Sequence, residues 1–400
     1  MFMPLRERVN GQARCETRRR ELARTKSAQG FAFAALTIVC AAGVQAQPTP
    51  GAPSIPLTPA AIANGVENRI TYEYGIEFVT IGSSGNPAWQ GQGYANNRGG
   101  VNYEYRIGRL EITSAQWAEF MSAVSMRPST ERVPWVQAPT FWGGQPDPTY
   151  TGPGTRYRAI PGRELMPVGG LSWRTAAVYC NWLHNNRGTD ISAFLNGAYD
   201  VSTFGYGGPT GARFTDQREH NPGARFWIPT FSEWMKAAHY DPNRNGPGQG
   251  GWWAYSNTSD QAIFGGPPGG TGFNQFGQTG PSQGNFAWTS SSLSEFQVLL
   301  GAYANQQSPW GLLDTAGGTT EWTEGIVGDV DLLNRISEGA AWGSSRSAAW
   351  SNSIGESSAD LPSYPFYDFG FRIAAAIPSP TSGGLMLAGW LLWAGKRRRK

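Results

Sequence analysis

Residues 225–234 read RFWIPTFSEW, a short apolar run that leads directly into a helix start. In the capping box, a Ser or Thr and the Glu or Gln three residues later satisfy each other's free backbone N–H groups. Thr230 and Glu233 fit this pattern. We therefore predict a helix from Phe231 to Tyr240, and the prediction rests on the cap rather than on the length of the helix.

Two further helices are predicted from the same kind of signal. Thr113 followed by Gln116 fits a second capping box and opens a helix from Ser114 to Val124. Ser172 can cap a third helix, from Trp173 to Asn185.

Short alternating runs supply the predicted strands, at Ile76 to Ile81, Tyr103 to Ile107 and Phe369 to Ala374. Of the 400 residues, 40% are hydrophobic and only 15% are charged, and the chain holds 53 Gly, 28 Pro and 17 Trp. This composition is typical of a loop-rich globular protein whose aromatic side chains supply much of the buried surface. The predicted fold class is α+β with few regular elements.

The amino-terminal segment has the parts of a secretory signal peptide. Residues 1–26 carry eight basic and three acidic side chains, an apolar run follows at 31–44, and it ends in Val44-Gln45-Ala46. We predict that residues 1–46 are removed on export and that the Pro- and Ala-rich residues 47–69 form a flexible linker. Arg18-Arg19-Arg20 leaves the twin-arginine route open beside the general secretory route.

The carboxyl-terminal segment combines an apolar run with a basic end. Residues 383–395 read GGLMLAGWLLWAG and precede KRRRK at 396–400, an arrangement that would stop export at the membrane. Together with IPSPT at 377–381, residues 377–400 resemble the PEP-CTERM sorting signal, which implies an exosortase as a processing partner. Ser379 stands where that signal has Glu, and an uncleaved membrane anchor is the alternative. We expect an exported protein of the cell envelope or extracellular space, membrane-associated before its C-terminal processing.

Removing both ends changes the charge and the cysteine content. Eight of the 32 basic residues lie in the leader and five in the tail, which leaves 19 basic against 26 acidic residues, so a nucleic-acid partner is not expected. Cys15 and Cys40 leave with the signal peptide, and Cys180 alone cannot form an internal disulfide. Cys180 falls on the apolar face of the third predicted helix, which is typical of a small buried hydrophobic residue rather than of a nucleophile.

Five ordered groups of motifs connect these elements to a known family. They are FVTIG at 78–82 with YEYRIG at 103–108 and LEITSAQW at 110–117, PVGGLSW at 167–173 with the helix after it, RFWIPTFSEW at 225–234, PWGLLD at 309–314 with EWT at 321–323, and GFR at 370–372. Together they resemble the formylglycine-generating enzyme, or sulfatase-modifying factor, family. The resemblance implies a single domain over 70–376 with a compact C-type-lectin-like fold, in which aromatic packing and bound calcium hold the loops.

The family enzyme oxidises a cysteine of a nascent sulfatase to formylglycine, using O₂ and a copper(I) ion held by two of its own cysteines. Copper(I) requires such soft ligands. In the matching stretch GAAWGSSRSAAW at 339–350, Ser344 and Ala349 occupy the cysteine positions. Copper is therefore not expected, and none of the family's catalytic residues is identified. Arg346 and Trp342 fall in the region of the family's substrate groove.

Calcium needs only oxygen ligands from loops. The resemblance implies calcium sites at Asn285 with Phe286 and at Glu321 with nearby carbonyls. Gly317-Gly318 stands where the family has Gly-Asn, and a cap or a buried salt-bridge partner is the alternative role of Glu321.

Iron is the alternative redox metal, because relatives described as nonheme iron proteins use histidines. His184, His220 and His239 remain in the exported part, and a three-histidine iron site is chemically reasonable. No spacing brings any two of them together, so solvated histidines are the favoured interpretation.

The favoured function is a non-catalytic surface module that binds a glycan or a protein through variable loops. The alternative is an oxidoreductase of the formylglycine-generating or nonheme iron type that acts on a peptide or a small thiol.

Overall fold

The computed structural model describes residues 54–208, 211, 213–286, 296–329, 332–343 and 352–378. The α-helices in these ranges are α1 (Pro59–Ala63), α2 (Ser114–Ser125), α3 (Trp173–His184), α4 (Ser192–Leu195) and α5 (Phe231–His239). The strands are β1 (Ile70–Glu73), β2 (Ile76–Ile81), β3 (Tyr105–Gly108), β4 (Gly144–Pro146), β5 (Tyr157–Ala159), β6 (Tyr206–Gly207), β7 (Arg213–Phe214), β8 (Phe226–Trp227), β9 (Tyr240–Asp241), β10 (Gly251–Trp252), β11 (Thr271–Phe273), β12 (Thr279–Pro281), β13 (Thr320–Gly328), β14 (Leu333–Glu338), β15 (Ser358–Asp360), β16 (Phe369–Gly370) and β17 (Ala374–Ala375). The predicted loop-rich α+β class is confirmed.

The three predicted helices are present, with ends that differ by one residue from the prediction. Both capping boxes form: the Gln116 side chain accepts a hydrogen bond from the Thr113 N–H at the start of α2, and the Glu233 carboxylate accepts one from the Thr230 N–H at the start of α5. Ser172 accepts a hydrogen bond from the backbone N–H at the third position of α3.

Two sheets form the framework of the domain. The larger has the order β1-β2-β3-β17-β8, and all its neighbours are antiparallel. The second has the order β15-β14-β13-β16, in which β13 and β16 run parallel. The predicted strand at Ile76 to Ile81 is β2, and the one at Tyr103 to Ile107 appears as β3, beginning at Tyr105.

The prediction of one continuous strand from Phe369 to Ala374 is wrong. The chain forms β16 in one sheet and β17 in the other. Between them, the fully buried side chain of Arg372 turns into the interior, so the chain leaves one sheet and joins the other. Periodicity along the sequence does not show such a change of partner, because both parts are apolar and buried.

The main core is aromatic and lies between α2, α3 and the larger sheet. Trp117 stacks on Tyr179 with ring centroids 5.3 Å apart, and both rings meet Phe371 edge-on. Cys180 is fully buried in the same cluster, as its position on the helix predicted. The motif tryptophans therefore act mainly in packing.

The segment before the first strand is packed rather than flexible where it is described. Residues 59–63 form α1, and Ala61 and Val66 are fully buried. The prediction of a flexible linker over 47–69 is thus wrong for its second half, because two apolar side chains in a Pro- and Ala-rich segment suffice to dock it on the core. Residues 1–53 and 379–400, which hold the predicted signal peptide and most of the predicted sorting signal, lie outside the described residues.

In the described part of the chain, no helix combines the length and the apolar character that crossing a bilayer requires.

Candidate functional site

Glu321 lies at the start of β13 and is buried. Its carboxylate accepts two hydrogen bonds from the Arg372 guanidinium, through Nε and Nη2, and a third from Trp234 Nε1 at 2.8 Å. Arg372 also donates to three backbone carbonyl oxygens at 3.1 to 3.3 Å, those of Gly108, Arg109 and Leu313. The arginine therefore joins the two sheets and the 309–314 segment at one point.

Two further acids surround this ion pair. Glu111 accepts hydrogen bonds from the backbone N–H and the hydroxyl of Thr319, and Asp314 accepts one from the Gly301 N–H at 2.6 Å. Burial, followed by the charge of Glu321, raises the pKa of Glu111 well above its ordinary value. Burial raises the pKa of Asp314 to about 6. The charges of these three carboxyl groups all act on the one guanidinium of Arg372.

Glu338 adds a fourth acid opposite Glu321 in the β13–β14 register. Its Oε1 is buried and has no hydrogen-bond partner among the described residues. Burial raises the pKa of Glu338 to about 8, and the charge of Glu321 acts in the same direction. Glu338 therefore carries a proton at neutral pH for most of the time.

The predicted calcium ligands lie in two neighbouring parts of this region. The backbone of Asn285 pairs with Gly317 as an isolated parallel bridge, and a Cβ at Gly317 would lie 2.5 Å from the Asn285 nitrogen. Only glycine allows this close approach, and its φ of +102° suits glycine as well. Phe286 is fully buried in a small apolar cluster with Tyr255 and Ile263.

A small polar cavity opens beside Asp314. Its lining residues are Ser256, Asn257, Gln283, Tyr303, Gln306, Asp314, Thr315 and Ala316. Two of the lining oxygens, Ser256 Oγ and Asn257 Oδ1, are buried without a hydrogen-bond partner among the described residues. Such oxygens next to a carboxylate fit a cation or an ordered water. Reasoning from the sequence missed Asp314, and the PWGLLD motif that ends on it was the available signal.

The oxygen chemistry of this cavity suits calcium better than the carboxylate of Glu321 does. Glu321 already accepts three hydrogen bonds, which correspond to the salt-bridge alternative from the sequence. The described residues contain no group of three or more His, Cys, Asp or Glu side chains placed to hold a metal ion.

Trp342 lies in an aromatic cluster at the edge of the described chain. Its ring meets Phe141, Phe296 and Tyr367 at centroid distances of 5.3, 5.4 and 5.6 Å, mostly edge to face. Trp342 is buried, whereas Phe141 and Tyr367 are partly exposed. Trp342 thus packs beneath these two partly exposed rings rather than forming the accessible surface. The other residues predicted in this region, Ser344, Arg346 and Ala349, lie outside the described residues.

Asp368 lies next to this aromatic cluster. Burial raises its pKa to about 6, and its Oδ1 has no hydrogen-bond partner in the described ranges.

The cysteine and the histidines lie in different environments. Burial raises the pKa of the Cys180 thiol well above its ordinary value, so the thiol is neutral and inert. His184 Nδ1 accepts a hydrogen bond from the Arg225 N–H at 3.1 Å, while His220 pairs with Glu324. The prediction of solvated histidines is wrong for His239, which is buried against the Trp253 carbonyl, and burial lowers its pKa to about 4.

Comparison with known proteins finds one family and several solved structures. A family profile described as "Sulfatase-modifying factor enzyme 1-like domain" matches residues 83–377. Similar solved structures include Treponema denticola variable protein 1 (18% identity, 76% of this chain and 98% of that chain, TM-score 0.44), CarF (17%, 76% and 100%, 0.42) and PvdO from Pseudomonas aeruginosa (14%, 76% and 96%, 0.39). No curated protein matches the sequence.

Proposed function

The chain belongs to the family of sulfatase-modifying factor enzyme 1-like domains, and on that premise we propose that it is a non-catalytic binding module exported to the cell envelope. The observation that carries the proposal is the loss of thiols. Ser344 and Ala349 stand at the family's copper-binding positions, and the remaining cysteine outside the predicted signal peptide, Cys180, is buried in the helical core. A hydroxyl and a methyl group do not hold copper(I) as two thiolates do.

The surface proposed to bind the ligand is the one formed by the partly exposed Phe141 and Tyr367 over Trp342. Its support comes from an aromatic cluster. Phe141 and Tyr367 are partly exposed, and they pack against the buried Trp342 and Phe296. Arg346, at the family's groove arginine, would add a cationic donor. Aromatic faces beside a guanidinium suit a glycan or a peptide, because both combine apolar faces with polar groups.

Calcium is proposed as a structural ion at the cavity beside Asp314. The unpartnered oxygens of Ser256 and Asn257 and the carboxylate of Asp314 are the residues that would hold it. When bound, the ion would neutralise the charge of Asp314 and tie together the loops that supply its ligands. The site at Asn285 and Phe286 stays a prediction from the resemblance.

The location is proposed from the two ends of the sequence. The signal peptide at 1–46 would direct export, and the PEP-CTERM-like segment at 377–400 would hold the protein at the membrane until an exosortase cleaves it. Mass spectrometry of the protein from its native cell reads both ends directly. A mature chain that begins near Gln47 and lacks 396–400 supports both steps, whereas an intact C-terminus supports the membrane anchor instead.

Restoring the thiols tests the loss of catalysis. The purified protein is expected to bind no stoichiometric copper(I) or iron and to form no aldehyde on a cysteine-containing peptide. The double variant Ser344→Cys/Ala349→Cys is expected to gain copper(I) binding, with Ser344→Cys alone as the matched control. Stoichiometric copper or iron in the unaltered protein, together with oxygen consumption, would overturn the proposal and favour the oxidoreductase alternative.

Calcium is tested separately by thermal unfolding with and without a calcium chelator. Added calcium is expected to raise Tm, and Asp314→Asn is expected to reduce that shift, because it removes the one negative charge at the cavity. An equal shift in Asp314→Asn would place the ion elsewhere.

A further inference from the structure

Residues 215–221, which we call the strap, follow β7 and are anchored to the domain by buried charged groups. The first anchor is Asp216, whose carboxylate accepts hydrogen bonds from Arg174 Nε at 2.8 Å and Nη2 at 2.6 Å. Both side chains are almost fully excluded from solvent. This two-point ion pair fixes the start of the strap.

The second anchor is Arg335 on β14. Its guanidinium lies 3.7 Å from the ring centroid of Trp173, and its Nη1 donates to the Arg218 carbonyl at 2.7 Å. Its Nη2 donates to the Gln217 carbonyl. Burial lowers the pKa of Arg335 to about 10, which still leaves it charged near neutral pH.

The third anchor is His220, and it differs from the others because imidazole titrates near neutrality. Its backbone N–H donates to Glu324 Oε1 at 2.8 Å, and its ring Nδ1 lies 3.1 Å from the same oxygen. The Glu324 side chain is only 2% exposed, whereas the imidazole is 22% exposed and can exchange protons with water. Tyr199 also donates to Glu324, at 2.6 Å.

The ring of His220 is held on its other side by Trp227. The two rings stack with centroids 4.4 Å apart, and Trp227 Nε1 donates to Glu233 at 3.0 Å. The position of the imidazole is thus fixed by one buried carboxylate at its edge and by an indole at its face.

The charged groups around His220 favour the imidazolium ion. They are Glu324 on β13, Glu233 on α5 and Glu219 on the strap itself. The neutral Tyr199 phenol donates to Glu324, and Arg335 donates to the Glu324 backbone carbonyl at 2.8 Å. Burial alone would lower the pKa of His220, but the hydrogen bond and the charge of Glu324 outweigh it, and the pKa is raised above its ordinary value of 6.5.

We propose that the strap is a pH-responsive element, locked to Glu324 by the protonated imidazole of His220 and loosened when that proton is lost. The ion pair then reverts to a hydrogen bond between a neutral ring and a buried carboxylate, while the two arginine anchors stay in place. The half of the strap around His220 opens first, and the surface around Glu219 changes with it. The proposal does not depend on what the protein binds.

The direction of the effect follows from linkage. Because the folded state binds the proton of His220 more tightly than the unfolded chain does, the added stability is complete below pH 6.5 and is lost as the pH rises through the folded pKa. The strap is therefore tight in mildly acidic solution and loose in alkaline solution.

Hydrogen–deuterium exchange of the full chain tests the proposal. With exchange corrected for its intrinsic pH dependence and for the change in global stability measured by urea unfolding, strap amides at about pH 8.5 are expected to open several-fold more often than at about pH 5.5. His220→Gln is expected to abolish the difference, and His184→Gln serves as the matched control that keeps it. Equal strap opening at both pH values, or an unchanged pH dependence in His220→Gln, would overturn the proposal.

A histidine-labelled NMR titration gives a second, independent readout. The His220 resonance, assigned by its absence in His220→Gln or by its contact with Trp227, is expected to titrate above 6.5. Glu324→Gln, which keeps an acceptor but removes the charge, is expected to move that titration downward. Titration of His220 at or below 6.5 in the unaltered protein would contradict the mechanism.

Discussion

Arg372, between β16 and β17, forms a buried two-point ion pair with Glu321 at the start of β13, 51 positions earlier in the chain. Both side chains are excluded from solvent, and the guanidinium also holds carbonyl oxygens from the end of β3 and from the 309–314 segment. The family motifs EWT and GFR thus meet at one contact. The pair therefore joins the two sheets of the domain.

Removing one partner of this pair is expected to leave an uncompensated buried charge. Glu321→Ala or Arg372→Leu should lower the free energy of unfolding by about 3–5 kcal/mol, measured by urea denaturation followed by tryptophan fluorescence. Arg69→Ala, which breaks the exposed pair with Glu104, is the control and should cost less than about 1 kcal/mol. Similar losses in both variants would contradict the role assigned to Arg372.

Glu338 is expected to make the protein less stable as the pH rises. Its pKa is raised to about 8, so the folded state holds a proton that the unfolded chain releases near its ordinary value of 4.5. Stability from this group is complete below pH 4.5 and is lost as the pH rises to about 8. Glu338→Gln should make the stability depend less on pH. At about pH 8 its free energy of unfolding should be higher than that of the unaltered protein. Urea unfolding of both proteins at several pH values measures this difference. A variant whose stability falls with pH as steeply as that of the unaltered protein would contradict the prediction.

Glu233, in the second capping box, is expected to contribute more to stability than either capping threonine does. Thr113→Ala and Thr230→Ala should each cost about 1 kcal/mol, because each removes one acceptor for a helix N–H. Glu233→Ala should cost more than either, since its carboxylate also accepts hydrogen bonds from Trp227 Nε1 and the Tyr103 hydroxyl, both at 3.0 Å. Thermal unfolding of the three variants makes the comparison, and an equal cost for Glu233→Ala and Thr230→Ala would show that these extra bonds are worth nothing.

Cys180 is expected to resist alkylation in the folded protein. Its thiol is buried and its pKa is raised by burial, so the reactive thiolate is scarce and out of reach. Iodoacetamide labelling followed by mass spectrometry should proceed only at the rate of global unfolding, and urea should restore labelling. A cysteine placed at the exposed Phe276 (F276C) is the positive control. Rapid native labelling of Cys180 would instead make it a candidate for chemistry.

Local signals explain why much of the fold could be predicted. A capping box involves residues three apart, so Thr113 with Gln116 and Thr230 with Glu233 specified their helices before any tertiary contact was considered. The inward face of α3 followed from helical spacing in the same way, and it placed Cys180 in the core. The ordered motifs, which are a matter of sequence alone, indicated the family.

The acidic centre could not be predicted in this way, because its members are far apart in the chain. Glu111, Asp314 and Glu321 meet around Arg372 only after the two sheets have formed, and burial there raises the pKa values of Glu111 and Asp314. The burial of His239 and the pairing of His220 with Glu324 have the same origin. From the sequence alone, a histidine near a helix end is predicted to be solvated, because the sequence does not show which other segment of the chain covers it.

The order of residues was thus sufficient for the features that depend on near neighbours, namely the caps and the inward helix face, while the export signals at the ends and the missing thiol pair at 344 and 349 stay predictions. The folded chain alone settled which charges are paired, which acids hold protons, and where Phe369 to Ala374 divides between sheets. The reason is physical, since desolvation and long-range ion pairs depend on what surrounds a group in space, and the sequence records only what lies next to it along the backbone.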